Sequence, residues 1–190
     1  KLIVILDMGS KIQQCINTDE YDNIKSVVND YLKEGIAHTL DETRNLSDSG
    51  QFEDISLQQG IRQILYPYEE MEVLNPEWEV ILKDIIDSLF EQMSDEEYNI
   101  LNEEFGTYMV SRAYEYRQLL EYLVFRYFAK SIYDYDFLGK CQMLVTNFFV
   151  IRQMDIIRWL DNHREYSFKD RMDVVHIFSR QVEYSEDNIE

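Results

Sequence analysis

The sequence predicts an all-α protein, a single globular domain of about seven or eight helices. Glycine and proline are scarce, with 6 and 2 among 190 residues, and helices require long stretches that lack both. The hydrophobic fraction is 45% and the aromatic fraction 14%. The chain therefore has enough apolar surface to bury a core, despite its net charge of −19.

Residues 1–43 are predicted to form an N-terminal pair of helices. The first is the apolar segment "KLIVILDMGSKIQQCIN"; Thr18 is expected to cap the second helix and Gly35 to end it. Residues 44–56, "RNLSDSGQFEDIS", are polar and rich in Ser and Asp, which is typical of a linker. Residues 57–190 then form the main helical domain, and we expect it to make one compact unit with residues 1–43.

The main domain contains clear helix-start signals. They are "SLQQ" at 56–59, Asn75-Pro76, "SDEE" at 94–97 and "SFKD" at 167–170. Three of these four pair a Ser cap with an acid or amide three residues later, and the other places a proline in the first turn. Pro67 should kink or end its helix. Residues 115–133 and 137–160 are predicted as the two central helices.

The charge and the cysteines exclude several classes of function. A net charge of −19 opposes binding to nucleic acid or to an anionic membrane. The longest apolar run, "CQMLVTNFFVI" at 141–151, is shorter than the roughly 20 residues of a membrane span. Cys15 and Cys141 are predicted to be free, buried thiols of a cytoplasmic protein, and no metal site is predicted. Because the chain begins inside a helical pattern, we expect it to be part of a longer protein.

The cations are concentrated in the second half of the chain. Residues 1–100 carry 7 basic and 22 acidic side chains, whereas residues 101–190 carry 11 and 15. Tyr122, Arg126 and Lys130 share one helical stripe, where they could hold an anion such as a carboxylate. Alternatively, both cations lay their stems on apolar surface and keep their heads in water, paired with Glu121 or a nearby aspartate, Asp134 or Asp136. The sequence leaves both readings open.

A second candidate lies near the C-terminus. Arg180 and Glu183 are three residues apart and are predicted to pair on the surface of the last helix. The histidines His38, His163 and His176 are scattered and lack a neighbouring nucleophile, so we expect surface or capping roles for them.

Three blocks of the sequence resemble the flagellin lysine N-methylase family. They are "YEEMEVLNPEW" (68–78), "EYRQLLEYLVFRYFAKSIYDYDFLGK" (115–140) and "FSRQVEYSEDNIE" (178–190), in the family's order. They correspond to its C-terminal helical region. Members also carry a cysteine-rich, metal-binding segment before this region, which two isolated cysteines do not supply. The isolated chain is therefore expected to be inactive.

The resemblance implies S-adenosylmethionine-dependent methylation of lysines in flagellin or another lysine-bearing protein. With this cofactor, the stripe of Tyr122, Arg126 and Lys130 is predicted to hold its carboxylate, and Glu121, Arg180 and Glu183 are the candidate substrate-binding residues. No G-x-G-x-x-G motif follows a predicted strand, so any cofactor site would differ from the dinucleotide-binding type. Three functions stay open: a methyltransferase with its cofactor in these helices, a substrate-binding module, and a non-catalytic helical scaffold.

Overall fold

The computed structural model describes residues 2–33 and 55–184, and every regular element in these ranges is helical, which confirms the all-α class. The helices are α1 (Leu2–Asn17), α2 (described over 21–33), α3 (Leu57–Glu69), α4 (Pro76–Ile86), α5 (Asp95–Tyr108), α6 (Ala113–Tyr127), α7 (Ser131–Asp134), α8 (Phe137–Asp161) and α9 (Phe168–Val182). A π-helical turn, Asp87–Glu91, follows α4, and short 3₁₀ turns precede α6 and α7.

The chain divides into two compact units. Unit 1 contains residues 1–54 and 114–146, and unit 2 contains residues 55–113 and 147–190. Helices α6 and α8 each contribute residues to both units. The boundaries predicted from sequence, 1–43, 44–56 and 57–190, stay a prediction. Most of that linker lies outside the described residues, as do Gly35 and His38.

In unit 1, helix α1 approaches the start of α8 closely. A Cβ added to Gly9 would lie 2.7 Å from the Sγ atom of Cys141, so only glycine fits there without a shift. One turn further along α1, the Gln13 side chain binds the first turn of α8. Its Oε1 accepts from the backbone N–H groups of Phe137 and Leu138 at 2.8 and 3.1 Å. Gln13 thus satisfies two donors that a helix start leaves without partners.

Cys15 and Cys141 are buried and free, as the sequence predicted. Burial raises the pKa of the Cys141 thiol to about 11, and the charge of Asp136 contributes to this rise. The thiol therefore stays protonated at neutral pH, and Cys141 packs as a small apolar side chain.

The predicted central helix over 115–133 is interrupted in the structure. Helix α6 ends at Tyr127, a 3₁₀ turn spans Phe128–Lys130, and α7 runs only from Ser131 to Asp134. Tyr135 then adopts φ 57°, a left-handed conformation that stops the helix. The apolar pattern continues through this region. A short change from α-helical to 3₁₀ geometry does not alter that pattern enough to be predicted from it.

Thr18 does not cap the second helix. Its hydroxyl donates back to the carbonyl of Gln14 at 3.0 Å, and helical structure resumes only at residue 21. Thr18 thereby satisfies a carbonyl at the end of α1. A threonine between two helices can either cap the following helix or donate to a carbonyl of the preceding one, and the sequence pattern does not distinguish these two roles.

The helix starts predicted in unit 2 are confirmed. Ser56, Ser94 and Ser167 each accept from the backbone N–H three residues on and complete a capping box, and Asn75 caps α4 ahead of Pro76. Pro67 lies in the last turn of α3, which ends two residues later. These signals are local, because each depends on residues within one turn.

Aromatic rings fill the core of unit 2. Trp78 stands edge-on to Phe178 with ring centroids 6.2 Å apart, which joins α4 to α9. The hydroxyl of the fully buried Tyr98 donates to Gln153 of α8 at 2.9 Å. A buried tyrosine hydroxyl requires such a partner.

No helix in residues 2–33 and 55–184 is long and apolar enough to cross a membrane. In the same residues, no group of three or more His, Cys, Asp or Glu side chains is arranged to hold a metal ion.

Candidate functional site

Unit 2 contains a groove of about 600 Å³ between helices α4, α8 and α9. It is lined by Glu77, Val80, Ile81, Arg158, Asp173, His176, Ile177 and Arg180. Its volume lies in the range typical of ligand-binding clefts, roughly 300–1,000 Å³. Several of its side chains are exposed, so the groove is open to solvent.

Helical spacing places the lining residues on two facing stripes. Residues 77, 80 and 81 share one face of α4, and residues 173, 176, 177 and 180 share one face of α9. The two helices pack against each other. Gln181 of α9 fixes the start of α4, since its buried Oε1 accepts from the backbone N–H groups of Leu74 and Asn75 at 3.0 and 3.2 Å.

The groove combines both signs of charge with an apolar surface. Glu77 and Asp173 supply carboxylates, and Arg158 and Arg180 supply guanidinium groups. Across the described residues, neither arginine forms an ion pair, although the charge of Arg158 acts on Asp170 and helps to lower its pKa. The arrangement suits a ligand that presents a cation, an anion and an apolar stem together.

The apolar part of the lining comes from Val80, Ile81 and Ile177. Val80 is 60% exposed, which leaves a branched apolar side chain in contact with water at the mouth of the groove. Ile177 is only 8% exposed and forms part of the floor. A hydrocarbon stem lying in the groove would cover this surface.

Arg180 lines the groove, whereas its predicted partner Glu183 does not. The pairing predicted from their spacing is wrong: Glu183 accepts a hydrogen bond from the Ser179 hydroxyl at 2.6 Å. Both contacts join residues three or four positions apart on α9, so helical spacing allows either of them and does not choose between them.

The residues predicted to bind the cofactor lie in unit 1, on exposed surface. Tyr122 is 46% exposed, and Arg126 and Lys130 are also exposed. The guanidinium of Arg126 lies 5.7 Å from the centroid of the buried Tyr127 ring, with its head in water. The 3₁₀ turn at Phe128–Lys130 separates Lys130 from the helix that carries the other two.

The acids near these cations have other partners. Glu121 accepts from Arg117 at 2.8 Å, and Asp134 pairs with Lys140 at 2.8 Å. Asp136 lies 3.9 Å from Lys140. The intrachain pairing considered for Arg126 and Lys130 is therefore absent among the described residues. The prediction that Tyr122, Arg126, Lys130 and Glu121 bind cofactor or substrate stays a prediction.

Sequence reasoning missed most of the groove. Asp173, His176 and Arg180 are three and four residues apart on α9, and this spacing was a signal for a polar stripe on one face. His176 belongs to that stripe, whereas His163 follows α8 in a left-handed conformation with φ 56°. Glu77 and Arg158 come from other helices, and only the packed unit brings them together.

The fold is an all-α domain, and its second unit carries an open groove of mixed charge. The chain belongs to the FliB lysine N-methylase C-terminal domain family, whose model matches residues 1–190. This match confirms the resemblance noted in the sequence. No curated protein and no solved structure matches the chain.

Proposed function

We propose that this domain recognises the protein substrate of a flagellin lysine N-methylase and that the unit 2 groove binds a charged lysine on that substrate. The observation that carries the proposal is the presence of Glu77 and Asp173 beside the apolar residues Ile81 and Ile177 in one groove. A lysine needs both parts, a carboxylate for its ammonium group and an apolar surface for its hydrocarbon stem.

Arg158 and Arg180 extend this recognition to the residues around the lysine. Their guanidinium groups can bind carboxylates or backbone carbonyls of the same substrate segment. A small molecule is normally buried over most of its surface, whereas this groove is open. Its openness therefore favours a segment of a folded protein as the ligand.

The charges of the groove support recognition more than catalysis. Methyl transfer requires a neutral lysine amine, but nearby carboxylates stabilise the ammonium form and raise the pKa of a lysine. Glu77 and Asp173 would hold a bound lysine in its charged state. The groove accordingly suits a binding step that precedes or accompanies the chemistry elsewhere in the enzyme.

Membership of a lysine methylase family implies S-adenosylmethionine, which would supply an activated methyl group. Arg126 and Lys130 match its carboxylate in charge. However, Phe125 beside them is 86% exposed, and the open surface they share does not enclose the rest of such a molecule. The described residues of this surface therefore do not fit the whole cofactor. Calorimetric titration of S-adenosylmethionine into the chain and into Arg126→Ala tests the carboxylate clamp directly.

Binding of unmethylated flagellin to the immobilised 190-residue chain tests substrate recognition. The double variant Glu77→Gln/Asp173→Asn should weaken binding about tenfold, because the ammonium group loses its carboxylate partners. Raising the salt concentration should weaken the wild-type complex. Acetylation removes the charge of lysine, so flagellin with acetylated lysines should bind the wild type and the double variant with equal affinity.

The matched control is Glu79→Gln/Asp161→Asn, which makes the same chemical changes at exposed positions of α4 and α8 outside the groove. It removes two negative charges, as the groove variant does, and should retain wild-type affinity for flagellin. Equal losses in both double variants would show that total charge, and not the groove, controls binding. Unchanged affinity in the groove variant would contradict the proposal.

A further inference from the structure

Unit 1 exposes large apolar side chains on helices α6 and α7. Phe125 is 86% exposed, Tyr133 85% and Ile132 72%, and Tyr122 is exposed as well. We call these four residues, together with the exposed Arg126 and Lys130, the α6–α7 surface. Aromatic side chains of this size are usually at least partly covered in a folded protein.

The core of unit 1 does not account for these side chains. Helix α6 buries a different stripe, in which Leu119, Leu123 and Tyr127 are at most 8% exposed. These residues follow each other at intervals of four and point to one side of the helix. Phe125 lies outside that stripe, so α6 is apolar on two sides and only one of them is used in the core.

The two cations of the α6–α7 surface lack an acidic partner within the described part of the chain. Lys140 pairs with Asp134 and lies near Asp136, and Arg117 pairs with Glu121. Arg126 and Lys130 form no ion pair with any described residue. Aromatic side chains and arginine are enriched at protein–protein contacts, and the nearby lysine adds a second positive charge for an acidic partner.

We propose that the α6–α7 surface docks an amphipathic helix of another protein, one that carries carboxylates beside apolar side chains. The apolar side chains of such a helix would cover Phe125 and Tyr133, and its carboxylates would pair with Arg126 and Lys130. This proposal is independent of the unit 2 groove, which would bind a cation. The two surfaces would recognise ligands of opposite charge.

Charge decides against two other occupants. A symmetric contact between two copies would bring Arg126 and Lys130 of both copies into one interface, and like charges in one interface repel. An anionic membrane is an extended surface and would also approach the acidic surroundings of these cations, in a chain of net charge −19. A single docked helix is narrow enough to contact mainly the local cations.

The experiment measures fluorescence anisotropy of a labelled synthetic helix titrated with the 190-residue chain. The probe repeats leucines at helical spacing with glutamates on both edges; a second peptide replaces every glutamate by lysine. The acidic peptide should bind saturably and the basic peptide at least tenfold more weakly. Vesicles of phosphatidylserine and phosphatidylcholine, examined by co-sedimentation, should not retain the chain.

The variants separate the two parts of the surface. Phe125→Ser/Tyr133→Ser should abolish binding through loss of apolar contact, and Arg126→Glu/Lys130→Glu should abolish it through charge reversal. Phe168→Ser is the control, since Phe168 is 66% exposed in unit 2. All of these positions are exposed, so circular dichroism should show unchanged folding.

Three results would overturn the proposal. The first is failure of the acidic peptide to bind, or equal binding of the basic peptide. The second is self-association of the wild type that Phe125→Ser/Tyr133→Ser removes, which would make a second copy the occupant. The third is vesicle binding that the charge-reversal variant removes, which would assign the surface to a membrane. Loss of flagellin binding in the groove variant alone leaves this proposal standing.

Discussion

Asp155 and Arg171 form an ion pair in the core of unit 2, where Asp155 is 0% and Arg171 5% exposed. The other carboxylate oxygen of Asp155 accepts from the hydroxyl of Tyr166. Helices α8 and α9 are thereby joined across the residues that connect them. Removing one partner of a buried ion pair strongly destabilises the folded state, because the other partner becomes an uncompensated buried charge.

Replacing Arg171 by methionine should destabilise the protein by about 3–5 kcal/mol, since Asp155 would remain buried without its cation. Urea unfolding monitored by tryptophan fluorescence measures the change, and both tryptophans belong to unit 2. Arg62→Met is the control, because Arg62 pairs with Glu69 on the surface of α3 and its loss should cost less than about 1 kcal/mol. Equal destabilisation by the two substitutions would contradict the expectation.

Gly9→Ala should destabilise unit 1, although alanine favours helices. The new Cβ would lie 2.7 Å from Cys141 Sγ, and overpacking of this kind costs about 1–3 kcal/mol. Thermal unfolding measures the effect, and adding Cys141→Ala should recover much of it by opening room. Gly60→Ala is the matched control: its nearest neighbour would be 3.7 Å away, so that variant should be neutral or more stable. A destabilised Gly60→Ala with an unaffected Gly9→Ala would reverse this prediction.

The capping box of α9 should make stability depend on pH. Burial alone would raise the pKa of Asp170, but hydrogen bonds from Ser167 and Asn162 outweigh it and hold that pKa below its ordinary value of 3.8. A lowered folded-state pKa adds stability that is present above the ordinary value and is lost as the pH falls through the folded-state value.

Asp170→Asn should therefore lower the free energy of unfolding at pH 7 by about 0.5–2 kcal/mol, the usual range for loss of a helix cap. The difference from wild type should shrink steadily below about pH 4, because the wild-type carboxyl becomes neutral there. Urea unfolding at several pH values measures the difference. A difference that stays constant down to pH 2 would show that the charge of Asp170 does not contribute.

Local features of the fold were predictable from the sequence. The capping boxes at Ser56, Ser94 and Ser167 involve only two residues three positions apart. Both partners are therefore visible in a four-residue stretch of sequence. The burial of Cys15 and Cys141 followed from apolar periodicity in the same way. The predictions for Thr18 and for the turn at Phe128–Lys130 were wrong, because in each case the local sequence pattern is compatible with two geometries.

The candidate site was only partly predictable. Arg180 was a candidate because it lies in the last family block, but Glu77 and Arg158 were not, since they come from α4 and α8. Spacing along one helix reports which residues share a face. It does not report which face of another helix lies opposite, because that depends on packing between segments distant in the chain.

By itself, the sequence determined the helical class, the helix starts of unit 2 and the family, since these depend on composition, on contacts within one turn and on the order of residues. Tertiary structure alone decided that Asp155 is paired in the core with Arg171, that Gly9 meets Cys141, and that Arg158 and Arg180 line one groove. Such contacts join residues that are separated in the chain. Their distances are fixed only when the helices pack and each buried polar group must find a partner.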